Sequence, residues 1–391
     1  MDEDSLIAAL TAGLPQGPAA LLGPGDDSAV VAFPDGRATI TTDILVDAVH
    51  FRSEWSSGFD VGWRLAAQNL ADAAAMGAVP TALVVALAGP PDQLAGEWGS
   101  RFSAGLATYC GRWDVGVVGG DLSTARILVA CGTAFGDLEG RQPVTRSGAR
   151  PGDVLAVSGA VASPPTGDQG PCRRAQPGAG PDASQPLRGP RRGSRFTWPL
   201  GGSAAGLAVL QAGGDERSTD PAAESMASSI TDSVDGSLAA SVAGSMASST
   251  VGLAVGSALA AYRRPDPPLD QGKAAALAGA TAMLDISDGL GKDAARLAKA
   301  SQVRLIIEPS SPVLAEAIEY WRPLARMLEH DPADWVLGGG EDHALLATFP
   351  AEAMLPDGWR GIGHVLAAGE GGPGVTIQGA ASTAQGWDHF A

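Results

Sequence analysis

An α/β or α+β architecture in two halves is what this sequence predicts, and three observations lead there. Short apolar, β-branched runs alternate with stretches of helical spacing through most of the chain. A Pro/Gly-rich, basic loop at 141–152 separates two halves of similar texture. The 391 residues, 45% of them hydrophobic, suffice for two ordinary domains with their own cores and some unpacked sequence besides.

In chain order, the strand runs fall at 29–33, 82–88, 115–118, 127–134, 154–158, 282–286, 303–307 and 345–349. Helical spacing appears at 60–76, 93–110, 203–211, 290–300 and 313–328. The run at 82–88 is too short to cross a bilayer and reads as a buried strand. Along 60–76, Val61, Leu65, Asn69, Asp72 and Met76 share the face that packs inward. Residues 163–199 carry many Pro and Gly and six arginines without an apolar period, the composition of a disordered loop. Residues 213–250 are rich in Ser, Ala and Asp and repeat Ser-Met-Ala-Ser-Ser at Ser225 and Ser245, low complexity that turns helical only towards Tyr262. The division is therefore 1–145 and 146–391, the second part interrupted by insertions at 163–199 and 213–250.

Composition excludes several classes of function. With 43 acidic against 26 basic residues, a formal charge of −17 repels nucleic acid over most of the surface. A small phosphorylated ligand remains compatible if divalent cations stand between its phosphates and the carboxylates. Cys110, Cys131 and Cys172 match no zinc motif and no disulfide framework, and their odd number fits a reducing compartment. The opening Met-Asp-Glu-Asp-Ser is acidic where a secretory signal is basic, so the expected location is the cytoplasm. Residues 236–262 run without a charge, but Ser, Ala, Gly and Thr dominate them, which argues against membrane insertion.

Aspartates at the ends of apolar segments carry the chemistry. Asp26 and Asp27 follow Gly-Pro-Gly and precede a strand, Asp43 ends an Ile-Thr-Thr run, and Asp121 follows Val-Val-Gly-Gly. Asp285 and Asp288 bracket Ile286-Ser287 ahead of a glycine and a helix. Open α/β sheets hold their ligands at strand C-termini. Asp72, on an inward helix face, needs a cation or a hydrogen-bond donor to offset its burial, and a loop amide would serve as well as a metal. Taken singly, the other aspartates suit turns and helix caps as readily as metal binding. Gathered in one place, their repulsion would raise pKa values or draw in Mg²⁺, a hard ion that prefers oxygen.

Neither a Walker-type glycine loop nor a Gly-x-Gly-x-x-Gly opening a helix occurs. Glycines do concentrate at Gly119-Gly120-Asp121, at Gly201-Gly202-Ser203 and at Gly338-Gly339-Gly340-Glu341-Asp342. Such groups serve tight turns or let backbone amides approach phosphate.

Read as an ordered series, the motifs resemble those of the thiamine-monophosphate kinase family. They are Gly25-Asp26-Asp27, Thr41-Thr42-Asp43, Val49-His50-Phe51, Asn69-Leu70-Ala71-Asp72 through Gly77, Gly119-Gly120-Asp121, Arg146 through Asp153, Asp285-Ile286-Ser287-Asp288-Gly289-Leu290 and Gly339-Gly340-Glu341-Asp342. The resemblance covers 1 to about 160 and 255–391, with Gly202 through Leu207 as an island between. It implies a two-domain aminoimidazole ribonucleotide synthetase-like fold, with an N-terminal mixed sheet carrying helices and a C-terminal α/β domain. It also implies a homodimer formed through the N-terminal sheets, with 1–145 as the ATP- and Mg²⁺-binding part. The implied reaction moves the γ-phosphate of ATP to thiamine monophosphate with several Mg²⁺ ions, giving thiamine diphosphate and ADP.

Carried over residue by residue, Asp27, Thr41, Thr42, Asp43, Asp72, Asp121, Asp285 and Asp288 are implied Mg²⁺ ligands. Gly120, Asp121, Arg146 and Ser287 are implied ATP contacts, and His50, Glu341 and Trp387 implied substrate contacts. By the residues alone, His50 reads equally as a hydrogen-bonded structural histidine and Trp387 as a packing residue pinning the tail. Three departures stand out: His343 replaces the family's tyrosine after Glu-Asp, 163–199 interrupts what is normally a short connection, and 213–250 has no counterpart in the family pattern.

A phosphate monoester has its second pKa near about 6, so its oxygen attacks at neutral pH without a strong base. Charge neutralisation and in-line placement are then what catalysis requires, and no catalytic base or phosphorylated side chain is expected. Related synthetases fit less well. A selenophosphate synthetase would carry a reactive cysteine near its start, yet the first here is Cys110, and a hydrogenase-maturation protein would end in a cysteine-bearing tail, yet the last residues are Asp-His-Phe-Ala. Purine-synthesis relatives and a non-catalytic nucleotide-binding protein are the remaining alternatives.

Overall fold

The computed structural model describes residues 7, 9–22, 30–158, 199–214 and 250–379. A short antiparallel ladder of β1 (Ala20–Leu22) and β2 (Val30–Val31) precedes two larger sheets. The first sheet holds β3 (Thr39–Val46), β4 (Val79–Gly89), β5 (Gly116–Thr124) and β6 (Val129–Asp137) in the order β3-β6-β4-β5. It is mixed: β3 with β6 and β6 with β4 run antiparallel, β4 with β5 parallel.

Helix α1 (Gly58–Ala75) and helix α2 (Glu97–Arg112) cover the inner face of this sheet. A capping box starts α1: the Ser57 hydroxyl accepts from the Asp60 amide while the Asp60 carboxylate accepts from the Ser57 amide. Alanines and a leucine pair then carry the helix to Met76 and Gly77, whose φ of +74° turns the chain out. The two helices approach closely because both bring glycine to the crossing. A Cβ on Gly62 would stand 2.1 Å from the Phe102 carbonyl oxygen, and one on Gly105 2.1 Å from that of Phe59. Leu65, Leu83, Phe102 and Leu106 fill the core between helices and sheet.

Residues 138–153 carry the chain to the second sheet, made of β7 (Val154–Ser158), β8 (Ala282–Asp285), β9 (Val303–Ile307), β10 (Leu345–Phe349), β11 (Trp359–Ala367) and β12 (Gly374–Ile377). Their order is β12-β9-β11-β7-β10-β8, with only β12 and β9 parallel. Both faces are covered. Leu155, Val157, Leu284 and Leu346 pack on one side under α3 (Gly202–Gly214), α4 (Thr250–Arg263), α6 (Leu290–Ser301), α7 (Pro312–Met327) and α8 (Pro332–Gly338). On the other side Ala156, Leu345, Ala347 and Phe349 meet Ala275 of α5 (Leu269–Leu277) together with Ala75 and Val144 from the first half. Burial on both faces is why these strands read as unbroken apolar runs.

The strands at 154–158, 303–307 and 345–349 stand at the residues the sequence predicts, and the helix expected towards Tyr262 is α4. Other elements differ. The strand read at 127–134 runs Val129–Asp137 and that at 115–118 extends to Thr124, because pairing with β4 rather than apolar content sets their ends. The helix read from 93 begins at Glu97, since Gly96 adopts an extended conformation after a single turn at Pro91–Leu94. β3, β11, β12, α5 and α8 were not marked by the apolar pattern; β11 is broken by Gly361 and Gly363, where its register shifts. The insertions expected at 163–199 and 213–250 lie outside the described residues, except that Pro199 precedes α3, Gly213 and Gly214 close it, and Thr250 opens α4. Among the described residues, no helix is long and apolar enough to cross a membrane.

Candidate active site

The site grows from one row of polar side chains on α1. Asp60, Arg64, Gln68 and Asp72 recur every fourth residue, which stacks them along a single face of the helix. That face looks away from the helix's own alanine-rich core towards the second half. Asp60 pairs with Arg264 at 2.9 Å, Arg64 with Glu341 at 2.5 Å, and Asp72 accepts the Thr41 hydroxyl at 2.6 Å. Gln68 lies by the Asp43 carboxylate and favours its ionised form. Beside the row, Asn69 accepts from the Asp43 amide at 3.2 Å and donates to the Leu65 carbonyl at 2.8 Å, so α1 fixes both the backbone and the side chain of Asp43.

Asp43 lies in the middle of β3, and not at the end of a run as its sequence context suggests. Alternation along the strand sends Thr41 and Asp43 towards α1 and Thr42 to the opposite face. There the Thr42 hydroxyl donates to the Gly132 carbonyl at 2.8 Å and meets Thr133 at 3.1 Å.

The second half contributes two loops joined to each other. One starts at Asp285, the last residue of β8, and carries Asp288; the other is the glycine loop 338–343 before β10. The Glu341 amide donates to the Ser287 carbonyl at 2.8 Å and the His343 amide to that of Ile286 at 3.0 Å. A Cβ on Gly340 would sit 2.5 Å from the Ser287 carbonyl oxygen, so only glycine permits this contact. Glu341 and His343 hold φ of +67° and +52°, a left-handed conformation that non-glycine residues adopt where the surroundings enforce it. Asp342 accepts from the amides of Gly201 and Ser203 at 2.5 and 2.9 Å, tying the start of α3 to the loop.

Charge crowds at the seam. Burial, then the neighbouring charges of Asp285 and Asp43, push the Asp72 carboxyl up to about 7 against the opposing bond from Thr41. Burial likewise raises Asp43, with Asp285 and Glu341 adding to it and His343 and Gln68 opposing. His343 stands in the midst of these groups. Its Nδ1 lies 3.1 Å from Asp285 and its Nε2 3.8 Å from Glu341. Burial alone would lower the imidazole, but those two carboxylates outweigh it and push His343 up to about 10. Burial also works against the Glu341 carboxylate, yet Arg64 and His343 hold it well below the usual range.

Of the expected site residues, Thr41, Asp43, Asp72, Asp285 and Glu341 are brought together. Asp288 is nearby but ion-paired to Arg296 and, at 3.6 Å, to Lys292. Ser287 lends its carbonyl to the loop contact, and Gly120 and Asp121 lie exposed on β5. Arg146 is exposed, its carbonyl accepting the Ser301 hydroxyl at 2.7 Å. His50 follows β3 in a tight turn, its Nδ1 accepting from the Val46 amide at 3.1 Å. Asp27 and Trp387 lie outside the described residues. Sequence reasoning missed Arg64, Gln68 and Tyr262, although polar residues four apart in an otherwise apolar helix signal a lined interface.

Two stacked α/β halves with carboxylates on their seam define the aminoimidazole ribonucleotide synthetase-like class of proteins. A family model described as AIR synthase related protein, N-terminal domain, matches residues 25–138. Hydrogenase maturation protein HypE shares the fold, with a TM-score of 0.53 at 15% identity over 96% of this chain and 90% of that one. The thiamine-monophosphate kinase of Mycobacterium tuberculosis is 36% identical over 395 residues, spanning 100% of this chain and 92% of the relative. That of Corynebacterium glutamicum is 31% identical over 348 residues, 87% of this chain and 80% of the relative. Among solved structures, AaThiL complexed with AMPPCP and TMP aligns with a TM-score of 0.64 and 26% identity over 93% of this chain and 91% of that one. The chain belongs to the thiamine-monophosphate kinase family.

Proposed function

We propose that this protein is an enzyme that transfers the γ-phosphate of ATP directly to thiamine monophosphate, yielding thiamine diphosphate and ADP. One observation carries the reading beyond family membership: burial, with the neighbouring charges of Asp285 from the other half and of Asp43, lifts Asp72 to about 7. Buried carboxylates that repel one another are relieved by a divalent cation.

The donor set fits Mg²⁺, because every candidate ligand is oxygen and the cluster is anionic. Asp43, Asp72 and Asp285 with Thr41 would hold it; Asp27, Thr42, Asp121 and Asp288 are the further members that the family pattern adds. Among the described residues no group of three or more acidic, His or Cys side chains is already arranged to hold a metal ion. Mg²⁺ keeps several waters and shares phosphate oxygens with its ligand, so its site would be completed only with the nucleotide bound. Bound there, Mg²⁺ would supply neutralisation of phosphate charge. This chain's own residues supply the rest. Thr41, Gln68 and Asn69 fix where the carboxylates point, Arg146 and Ser287 together with Gly120 serve the nucleotide, and His50, Glu341 and Trp387 serve the acceptor. The acceptor phosphate is itself a competent nucleophile, so no side chain removes a proton or becomes phosphorylated.

The protein acts as a homodimer joined through the outer face of the four-stranded sheet. In support, β3 points Ile40 and Ile44 outward with 65% and 48% of their surface exposed. The functional test is direct: incubation with ATP, Mg²⁺ and thiamine monophosphate gives thiamine diphosphate in step with ADP. ADP without thiamine diphosphate, or neither, defeats the proposal, and labelled phosphate trapped on the protein by ATP alone defeats direct transfer.

A further inference from the structure

Arg64 is a charge placed where a core residue is expected. Its side chain is only 5% exposed on a helix whose neighbouring positions are Leu65, Ala66 and Ala67. Burying a guanidinium is costly unless it has a specific task, and packing alone would be served by an aliphatic residue. Its Nη2 meets Glu341 at 2.5 Å, its guanidinium lies 5.3 Å from the centre of the Tyr262 ring, and its Nε and Nη1 have no hydrogen-bond partner among the described residues. The group therefore spends its one ion pair on a loop residue 277 positions away.

Glu341 shows what that pair does. Its backbone is left-handed, so the local chain does not favour its position, and its side chain keeps 34% exposure in spite of the buried partner. The contacts of Arg64 and His343 both fall on Oε2. Oε1 takes part in neither. A carboxylate gripped by one oxygen keeps the other as an oriented acceptor, and a fork-shaped guanidinium is better suited than an ammonium to fix that plane.

We infer that Arg64 is the positioning residue of the acceptor site: it holds Glu341 by Oε2 so that Oε1 faces the N–H donors of the aminopyrimidine ring of thiamine monophosphate. This rests on the functional reading above. It also couples the two ends of α1, since the helix that aims Glu341 through Arg64 carries Asp72 two turns further on. The acceptor and the carboxylate cluster are thereby set by one rigid rod.

The experiment compares steady-state kinetics of wild type, Arg64→Met, Arg64→Lys, Glu341→Gln and the double variant Arg64→Met/Glu341→Gln, with thermal melting of each. Arg64→Met is expected to raise KM for thiamine monophosphate at least about tenfold while KM for ATP stays within about twofold. Arg64→Lys, which keeps the charge and loses the fork, recovers part of that rise. The double variant is no worse than Glu341→Gln alone, because a residue acting only through Glu341 has nothing left to position. Equal increases for both substrates, multiplied losses in the double variant, or an Arg64→Lys enzyme with normal acceptor KM would each overturn the assignment. Should Arg64→Met fail to fold, the Arg64→Lys comparison decides alone. A wild type that makes no thiamine diphosphate sinks the functional reading and this inference with it, whereas an active wild type with an unaltered Arg64→Met sinks the inference only.

Discussion

Thr41 of β3 donates its hydroxyl to Asp72 of α1 at 2.6 Å, joining the first sheet to the helix that lines the seam. The bond favours an ionised Asp72, yet burial and the charges of Asp285 and Asp43 prevail and keep its carboxyl up at about 7. An acid group held partly protonated at neutral pH is poised to ionise when a cation arrives.

Replacing Asp72 with Asn should therefore lower kcat by at least on the order of 100-fold while leaving the circular dichroism spectrum unchanged. Activity near the wild-type rate at saturating Mg²⁺ would remove Asp72 from the metal set.

The same carboxyl makes a pH prediction of definite sign. Its folded value of about 7 stands above the ordinary value of 3.8, so its share of stability is complete below that lower value and is lost as pH climbs through the higher one. In EDTA at pH 8, Asp72→Asn should melt at or above wild type, and at pH 5 the difference should shrink. Mg²⁺ should then raise the wild-type midpoint more than that of the variant. A variant several degrees less stable at pH 8 without metal contradicts this.

Helix crossing in the first half depends on Gly62 and Gly105. Because a Cβ at Gly62 would fall 2.1 Å from the Phe102 carbonyl oxygen, Gly62→Val should cost at least about 2 kcal/mol in urea unfolding. An unchanged midpoint would mean that the helices separate freely.

Ile40→Asp on the outward face of β3 should convert a dimer to a monomer in sedimentation equilibrium without loss of secondary structure, since it places charge in an apolar patch. Identical masses for variant and wild type would place any association elsewhere.

Burial pushes the Cys110 thiol up to about 12, while Cys131 is only partly covered. Iodoacetamide at pH 8 should reach Cys110 only after unfolding, as peptide mass mapping would reveal. Rapid native labelling of Cys110 would contradict the packing around α2.

Much of this was legible in the sequence. Strands buried on both faces, such as Val154–Ser158 and Leu345–Phe349, announce themselves as apolar runs, and Asp72 stood out as a helix carboxylate in need of a partner, although it lies with Asp60, Arg64 and Gln68 on the seam face and not with Val61 and Leu65 on the core face. Less legible were elements whose pattern is broken by function or by pairing. β3 reads as a polar threonine stretch because one of its faces serves the site, and β11 reads as a loop because glycines interrupt it. Arg64 was passed over since an arginine in a helix is ordinarily a solvated residue.

By itself the sequence determined composition, local periodicity and the order of motifs, and with them the two α/β halves and the family. Which side chains meet was decided by tertiary structure alone. Thr41 and Thr42 are chemically identical neighbours, yet one faces Asp72 and the other Gly132, because α1 covers one face of the sheet and not the other. Arg64 and Glu341 are 277 residues apart, and nothing in either local pattern refers to its partner. Their pairing arises because burying apolar surface on both sheets forces the polar row of α1 onto the seam, where only opposite charges and hydrogen-bond donors can offset the loss of water.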